Sequence, residues 1–282
     1  MSPQTVDAHH HFWDPSRADY PWMTDDLAAI RRRFGPEDLA PLMARAGINR
    51  TILVQTRSSL DESREFLATA FASDSVAGVV GWVDLADPAV GEVIAQLVEG
   101  PDGARLVGIR HQVHDEPDPA WLLRGDVDRG IASVGAAGLV YDLLVRPREL
   151  PAALESVRAH PDVAFVIDHL AKPPIRAGEL EPWLSLMRPF GKLENVACKV
   201  SGLVTEADWH GWKVDDLRPF VDAALEIFGA DRLMFGSDWP VCLLAATYAD
   251  VVEAARSATE RLSPDERDEL FGGTARRVYR LP

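Results

Sequence analysis

Short apolar runs alternate along the chain with segments whose apolar residues recur at helical spacing. Each run is seven to ten residues long, rich in Val, Ile and Leu, and free of regular polar alternation, which is typical of strands buried on both faces. The predicted strands cover residues 5–11, 50–56, 76–85, 106–113, 139–145, 164–170, 196–202 and 232–238.

The segments between these strands carry helix signals. Glu37 and Asp38 favour the start of the first helix, and Gly47 follows its last residue as a stop. The predicted helices cover residues 37–46, 59–73, 88–100, 119–137, 147–160, 182–190, 214–228, 243–262 and 264–280.

Eight strand–helix units predict an α/β protein, a (β/α)8 TIM barrel with long loops at the carboxyl ends of its strands. The longest of these loops is predicted at residues 12–36. The alternative is a doubly wound open sheet, but no Gly-x-Gly-x-x-Gly follows the first strand. No linker or low-complexity stretch divides the chain, so we expect residues 1–282 to form one domain.

Composition narrows the possible partners. The chain has 282 residues with 29 basic and 44 acidic side chains and a net charge of −15, which disfavours nucleic acid and anionic membranes. We find no signal peptide and no membrane-spanning run. Cys198 and Cys242 are too few for a disulfide framework. We therefore expect a cytoplasmic protein that acts on a small molecule; its oligomeric state is left open.

Polar residues cluster at the ends of the predicted strands, where barrel enzymes place their active sites. Side chains two apart on a strand share a face, so His9 and His11 point together and His10 points away. Three imidazoles and a carboxylate suit zinc with an open position for water, or can act on a carbonyl without metal. The strand-end candidates are His9, His11, Arg110, His111, Asp168, His169, Ser237 and Asp238.

Several of these motifs resemble the amidohydrolase superfamily, and most closely its branch of sugar-lactone hydrolases, which includes L-fucono- and L-rhamnono-lactonases. By this resemblance the family's His-x-His falls on His9 and His11, its later histidine on His169, and its acidic base on Asp238. The motifs that carry the resemblance lie at residues 7–14, 108–111, 166–173, 198–203, 234–240 and 271–279.

The chain departs from the binuclear members of the superfamily, which bridge two metals with a carboxylated lysine. No lysine stands at the end of a middle strand, since Lys199 lies inside the seventh strand and Lys172 lies in a loop. The resemblance therefore implies either one divalent ion, best matched by zinc, or none. We favour one zinc ion held by His9, His11, His169 and Asp238, and we expect the reaction to proceed without it as well.

The resemblance implies hydrolysis of a sugar-acid lactone, such as L-fucono-1,5-lactone, to the open acid. Asp238 would be the general base, and the three histidines, with or without zinc, would polarise the carbonyl. The residues expected to contact substrate are Arg110, His111, Trp13, Trp22, Trp209 and Trp239, with Gln55 and Asp84 as secondary candidates. We assign His114, His160 and His210 to surface or packing roles.

Three other functions compete with this one. A metal-dependent decarboxylase would need arginines to grip a carboxylate, and this chain has one obvious strand-end arginine, Arg110. A lactonase for muconolactones or pyrones would differ in substrate only. A non-catalytic sugar-binding barrel has no need of a base and an electrophile that converge, so it is disfavoured.

Overall fold

The computed structural model describes residues 4–281, and its centre is a single eight-stranded sheet with the strands in the order β1 to β8. All neighbouring strands are parallel. Two backbone hydrogen bonds near the carboxyl ends of the strands bring β8 back to β1. The Asp238 amide donates to the His9 carbonyl at 2.8 Å, and the His11 amide donates to the Trp239 carbonyl at 2.7 Å. The strands are β1 Val6–His10, β2 Arg50–Val54, β3 Val76–Gly81, β4 Leu106–His111, β5 Val140–Leu143, β6 Phe165–Ile167, β7 Val196–Val200 and β8 Leu233–Phe235. The predicted (β/α)8 barrel is confirmed.

Helices surround this barrel on the outside. In the described part of the chain they are α1 Pro36–Ala46, α2 Leu60–Ala72, α3 Val90–Glu99, α4 Gly125–Ala136, α5 Leu150–Ala159, α6 Trp183–Met187, α7 Leu203–Glu206, α8 Val214–Phe228, α9 Tyr248–Ala258, α10 Pro264–Asp268 and α11 Thr274–Val278. None of them is long and apolar enough to cross a lipid bilayer.

Most predicted strands extend too far toward the carboxyl end. β6 stops at Ile167, because the backbone from His169 to Lys172 takes up positive φ angles of 50° to 57° and leaves the ladder. Residues beyond the strands are apolar because they pack on the core, so hydrophobicity alone overestimates strand length. The predicted helix over 243–262 begins only at Tyr248, and the one over 264–280 is interrupted by a π-helical turn at Glu269–Gly273.

The chain's C-terminal segment closes the barrel at the amino ends of the strands. Gly272 packs against the backbone of Gln4 and Thr5, next to the start of β1. From there α11 places apolar side chains inside the barrel. The interior cluster consists of Val6, Ala8, Ile52, Val54, Val80, Val140, Val166, Ala197, Met234, Ala275 and Tyr279. The opposite end of the barrel, at the carboxyl ends of the strands, is left for polar residues.

Candidate active site

His9 and His11 lie side by side at the carboxyl end of β1, with their Nε2 atoms 3.2 Å apart. His10 points away, toward the hydroxyl of Thr51, as strand alternation predicts. The Nδ1 of His11 is 2.7 Å from the carbonyl oxygen of Val54. A carbonyl only accepts, so Nδ1 carries a proton, and Nε2 is the ring nitrogen that can bind a metal.

Asp168 lies beside the Nδ1 of His9. Its Oδ1 lies 3.3 Å from the Nδ1 of His9. Two cations hold the carboxylate from other sides: Lys199 at 2.9 Å and Arg110 at 2.8 Å. Burial alone would raise the pKa of Asp168, but Lys199, His9 and Arg110 keep it well below its usual value. Burial lowers the pKa of His9 well below its ordinary value, so its ring is neutral.

Asp238 faces the two imidazoles from the end of β8. Its Oδ1 is 3.3 Å from the Nε2 of His11 and 3.8 Å from that of His9. The residue has a positive φ of 55°, a conformation that non-glycine residues take at a cost. Burial would raise the pKa of Asp238, but His169, His11 and Lys172 lower it below its usual value, so the carboxylate is ionised.

His169 reaches the same point from the end of β6. Its ring centroid lies 4.4 Å from that of His9, and its Nδ1 is 2.9 Å from the hydroxyl oxygen of Ser201. Burial lowers the pKa of His169 to about 4, so this ring is neutral too. Gly202 leaves room for it: a Cβ at this position would lie 2.6 Å from the Nδ1 of His169.

The donor atoms of His9, His11 and Asp238 fit a zinc ion. Ligand atoms at about 2.0–2.2 Å from a tetrahedral zinc are roughly 3.3–3.6 Å from one another. The three separations in this site are 3.2, 3.3 and 3.8 Å. These donor atoms repel one another unless a cation or a proton lies between them. In addition, the Nδ1 atoms of His9 and His11 each have a second partner, which is typical of histidines that bind a metal.

His169 does not belong to this group of donors, although we expected it to. It forms a second group with His9 and Asp168. That group suits a metal poorly, because Lys199 and Arg110 already neutralise the Asp168 carboxylate. The geometry therefore favours one ion, as expected from the lack of a bridging lysine.

A cavity of about 450 Å³ opens above these residues. The expected site residues that line it are His11, His169, Asp238, Arg110, Trp22 and Trp209. Polar residues that we had not proposed as substrate contacts also line it, namely Thr56, Gln112, His114, Asp115, Arg146, Lys172, Thr205 and Glu206. All eight lie within a few residues of a strand's carboxyl end, and that position along the chain is the signal that could have identified them.

His111 and Trp239 do not line this cavity, so these two expected substrate contacts are corrected. Alternation along β4 points Arg110 inward and His111 outward, where its ring stacks on Trp121 with centroids 4.3 Å apart. Trp239 is 1% exposed and packs edge-to-face against Phe34 at 5.2 Å.

Trp13 and the secondary candidates also differ from expectation. Trp13 lines a separate surface cavity of about 560 Å³ beside Tyr20, outside the barrel. Asp84 is exposed beyond β3. Gln55 is buried, and its side-chain oxygen accepts from Arg110 at 2.9 and 3.1 Å, so it holds that guanidinium in place. His114, assigned above to packing, is part of the cavity wall.

Lys199 is the contact that sequence reasoning missed. Its side chain is fully buried, with Nζ 3.3 Å from the Nδ1 of His9. The signal was a lysine within the apolar run 196–200, two positions after Ala197 and so on the same, inward face. A fully buried lysine is rare without a paired charge, so this position could have led to the acidic partners, a step that the sequence analysis did not take.

Comparison with known proteins agrees with this geometry. A family model described as amidohydrolase matches residues 6–281. The chain belongs to the amidohydrolase family. Two relatives are named L-fucono-1,5-lactonase: one from Burkholderia multivorans is 42% identical over 293 residues, covering 100% of this chain and 98% of that protein. The other, from Burkholderia ambifaria, is 41% identical over 98% of this chain and 95% of that protein.

Solved structures extend the similarity to three dimensions. A crystal structure of an amidohydrolase from Burkholderia multivorans with bound zinc superposes with a TM-score of 0.94 at 42% identity, covering 99% of this chain and 100% of that one. Together with the His9, His11 and Asp238 donor set, this similarity supports a zinc site in this amidohydrolase.

Proposed function

We propose that this amidohydrolase hydrolyses a sugar-acid lactone, of the type of L-fucono-1,5-lactone, to the open aldonic acid. The observation that carries the proposal is the convergence of the ionised Asp238 with the neutral imidazoles of His9 and His169 at the head of a cavity of about 450 Å³. That volume is in the range of small-molecule sites. The two relatives named L-fucono-1,5-lactonase match this chain over nearly its whole length, which supports the same substrate class.

Asp238 is the general base in this mechanism. Its lowered pKa keeps the carboxylate able to accept a proton from water at neutral pH, and the water then attacks the lactone carbonyl carbon. As the tetrahedral species collapses, the protonated carboxyl returns its proton to the ring oxygen that leaves. One group therefore serves both steps, since it is regenerated at the end of each turnover.

The neighbouring imidazoles stabilise the negative charge that develops on the carbonyl oxygen. His169 can donate from Nε2 when the Ser201 hydroxyl donates to its Nδ1 at 2.9 Å. A zinc ion held by His9, His11 and Asp238 would supply Lewis-acid polarisation of the carbonyl. Without an ion, the Nε2–H group of His169 would polarise the carbonyl alone, so we propose that zinc accelerates the reaction but is not required.

The cavity wall suits a neutral polyhydroxylated ring. Trp22 and Trp209 present aromatic faces to the CH side of a sugar. In the same cavity wall, Lys172 and Glu206 form an ion pair of 2.9 Å whose members can each hydrogen-bond to hydroxyl groups. The wall also carries Arg146, so its cations are mixed with carboxylates rather than gathered for an anionic substrate.

The arrangement of Arg110 argues against a decarboxylase. Its guanidinium donates to Gln55 through Nε and Nη2, and its Nη1 faces Asp168 at 2.8 Å and His9 at 3.3 Å. All five N–H groups are thereby directed at protein atoms, so it has no free pair of donors for a substrate carboxylate.

The proposal treats residues 1–282 as one catalytic domain, because β1 and β8, from opposite ends of the chain, contribute to the same site. The cytoplasmic location inferred from cysteine usage stays a prediction.

The test is a pH-indicator hydrolysis screen of L-fucono-, L-galactono- and L-rhamnono-lactones and then of muconolactones, before and after chelation, with zinc content measured in parallel. We expect acid release from the sugar lactones, reduced but not abolished by the chelator and restored by zinc. Complete loss on chelation would make zinc obligatory. No acid release from any lactone would contradict the proposal and bring decarboxylation forward.

A further inference from the structure

A chain of buried polar contacts connects the C-terminal helix to His9. The hydroxyl of Tyr279, which follows α11, lies 2.8 Å from Oδ2 of Asp142 on β5. The same oxygen accepts from Nζ of Lys199 at 2.6 Å. Nζ lies 2.9 Å from Oδ1 of Asp168, and this oxygen lies 3.3 Å from Nδ1 of His9. None of the five residues Tyr279, Asp142, Lys199, Asp168 and His9 is more than 2% exposed, so solvent does not interrupt the chain of contacts.

The charges along this chain balance. Burial raises the pKa of Asp142 to about 6, so the group is still ionised at neutral pH. Asp142 and Asp168 therefore carry two negative charges, which Lys199 and Arg110 match with two positive ones. Because buried charges are tolerated only when they are paired, each partner restricts where the others can lie.

The ammonium group of Lys199 is shared between the carboxylates of Asp142 and Asp168, and the Tyr279 hydroxyl affects how close it lies to each. An ammonium group can only donate, and here Nζ lies between the carboxylates of Asp142 and Asp168; the Nδ1 of His9, which carries the ring proton, is a neighbour at 3.3 Å and not an acceptor. The Tyr279 hydroxyl supplies Asp142 with a second donor. Without that donor, Asp142 would draw the ammonium toward itself and away from Asp168.

We propose that Tyr279 is a positioning residue for the active site, which acts through Asp142 and Lys199 on the Asp168 carboxylate that orients His9. The C-terminal helix then has two functions: it closes the amino end of the barrel, and it sets the ring that faces the cavity at the other end. The hydroxyl itself does not touch substrate.

The experiment compares Tyr279→Phe with the unchanged full-length protein. This substitution removes one oxygen and no charge, so the buried ions stay balanced. In metal-free protein labelled with ¹⁵N-histidine, we expect the ring-nitrogen shifts of His9 to change, because the hydrogen bond at its Nδ1 is altered. We expect zinc affinity and kcat to fall by about 10-fold, the lower end of the effect of an outer partner of a metal-binding histidine, with KM little changed.

Tyr141→Phe is the matched control. Tyr141 precedes Asp142 on β5, and within residues 4–281 its buried hydroxyl has no hydrogen-bond partner. We expect the Tyr141→Phe protein to equal the unchanged protein in its His9 ring-nitrogen shifts, its zinc affinity and its kcat. A Tyr279→Phe protein that loses thermal stability but matches Tyr141→Phe in these three quantities would overturn the proposal and leave Tyr279 a purely structural role. Equal losses in both variants would overturn it too.

A second pair of variants addresses Lys199 directly. Lys199→Met leaves two carboxylates with one cation and can prevent folding, whereas Lys199→Arg retains the charge. We expect the Lys199→Arg protein to fold and its His9 ring-nitrogen signals to shift. If these signals are unshifted in both the Lys199→Arg and the Tyr279→Phe proteins, the proposal is contradicted. Only the kinetic measurement rests on the proposed lactonase function. If no lactone is hydrolysed, the His9 signal in metal-free protein still decides whether Tyr279 positions the site.

Discussion

Asp238 combines two properties that a general base needs, a lowered pKa and a position at the cavity. The lowered pKa comes from its neighbours, since burial by itself would favour the protonated acid. Its two oxygens face different groups: Oδ1 lies toward His9 and His11, and Oδ2 toward Gly202. One carboxylate can therefore hold a cation with one oxygen and accept a proton with the other.

Asp238→Asn should lower kcat for lactone hydrolysis by about 10²–10⁴-fold, the usual worth of a positioned general base, because the amide cannot accept the proton. Initial rates under saturating lactone measure the effect, and circular dichroism checks that the barrel is intact. Asp84→Asn is the control, since Asp84 is an exposed carboxylate beyond β3. Retained activity in folded Asp238→Asn protein would exclude Asp238 as the base.

The turns after β6 and β7, which contribute to the site, have left-handed backbone conformations. His169 to Lys172 are four consecutive non-glycine residues with positive φ, and Gly202 after β7 has a φ of 63°. Such conformations are held only where the surroundings determine them, and they cluster at functional sites. Here they point the His169 ring toward His9 and place Lys172 in the cavity wall.

Gly202→Ala tests this turn. A left-handed alanine costs roughly 1–2 kcal/mol of folding free energy. In addition, its Cβ would lie 2.6 Å from the Nδ1 of His169, so we expect the ring to be displaced and kcat to fall. Gly178→Ala is the control: its φ is 69° but a Cβ there meets nothing within 4 Å. We expect both variants to lose stability in denaturant titrations and only Gly202→Ala to lose activity; equal activity in the two would refute the steric argument.

At the scale of the whole molecule, the barrel keeps several histidines neutral by burial. His10 is the last residue of β1 and is fully buried, and this burial lowers its pKa from 6.5 to about 3. Unfolding exposes this ring to water, where it regains its ordinary pKa. The unfolded chain therefore binds the proton more readily than the native protein does, and acid favours unfolding.

The sign of the pH effect follows from this. The contribution of His10 to the free energy of unfolding is fully present above pH 6.5 and is lost as the pH falls toward 3. Between pH 6 and pH 4 we expect the wild type to lose about 2 kcal/mol that His10→Gln does not lose. Urea titrations at several pH values with a chelator present measure the difference. Parallel pH dependences in the two proteins would contradict the assignment.

The residues that could be predicted from the sequence are those set by local geometry. Alternation along a strand places His9 and His11 together, and the position of Asp238 at the end of β8 places it at the same rim. Trp239 and His111 lie outside the cavity wall for a related reason: each is adjacent to a site residue, and neighbours on a strand or tight turn point in opposite directions.

The sequence by itself determined the barrel and the identity of its reactive groups, because hydrophobic periodicity and strand-end positions are properties of neighbouring residues. Only the tertiary structure decided what those groups do for one another. Lys199 joins Asp142 to Asp168 and lies 57 positions along the chain from Asp142. Tyr279 contacts Asp142 from 137 positions away. Contacts between residues so distant in sequence depend on how the barrel closes, which no local pattern specifies.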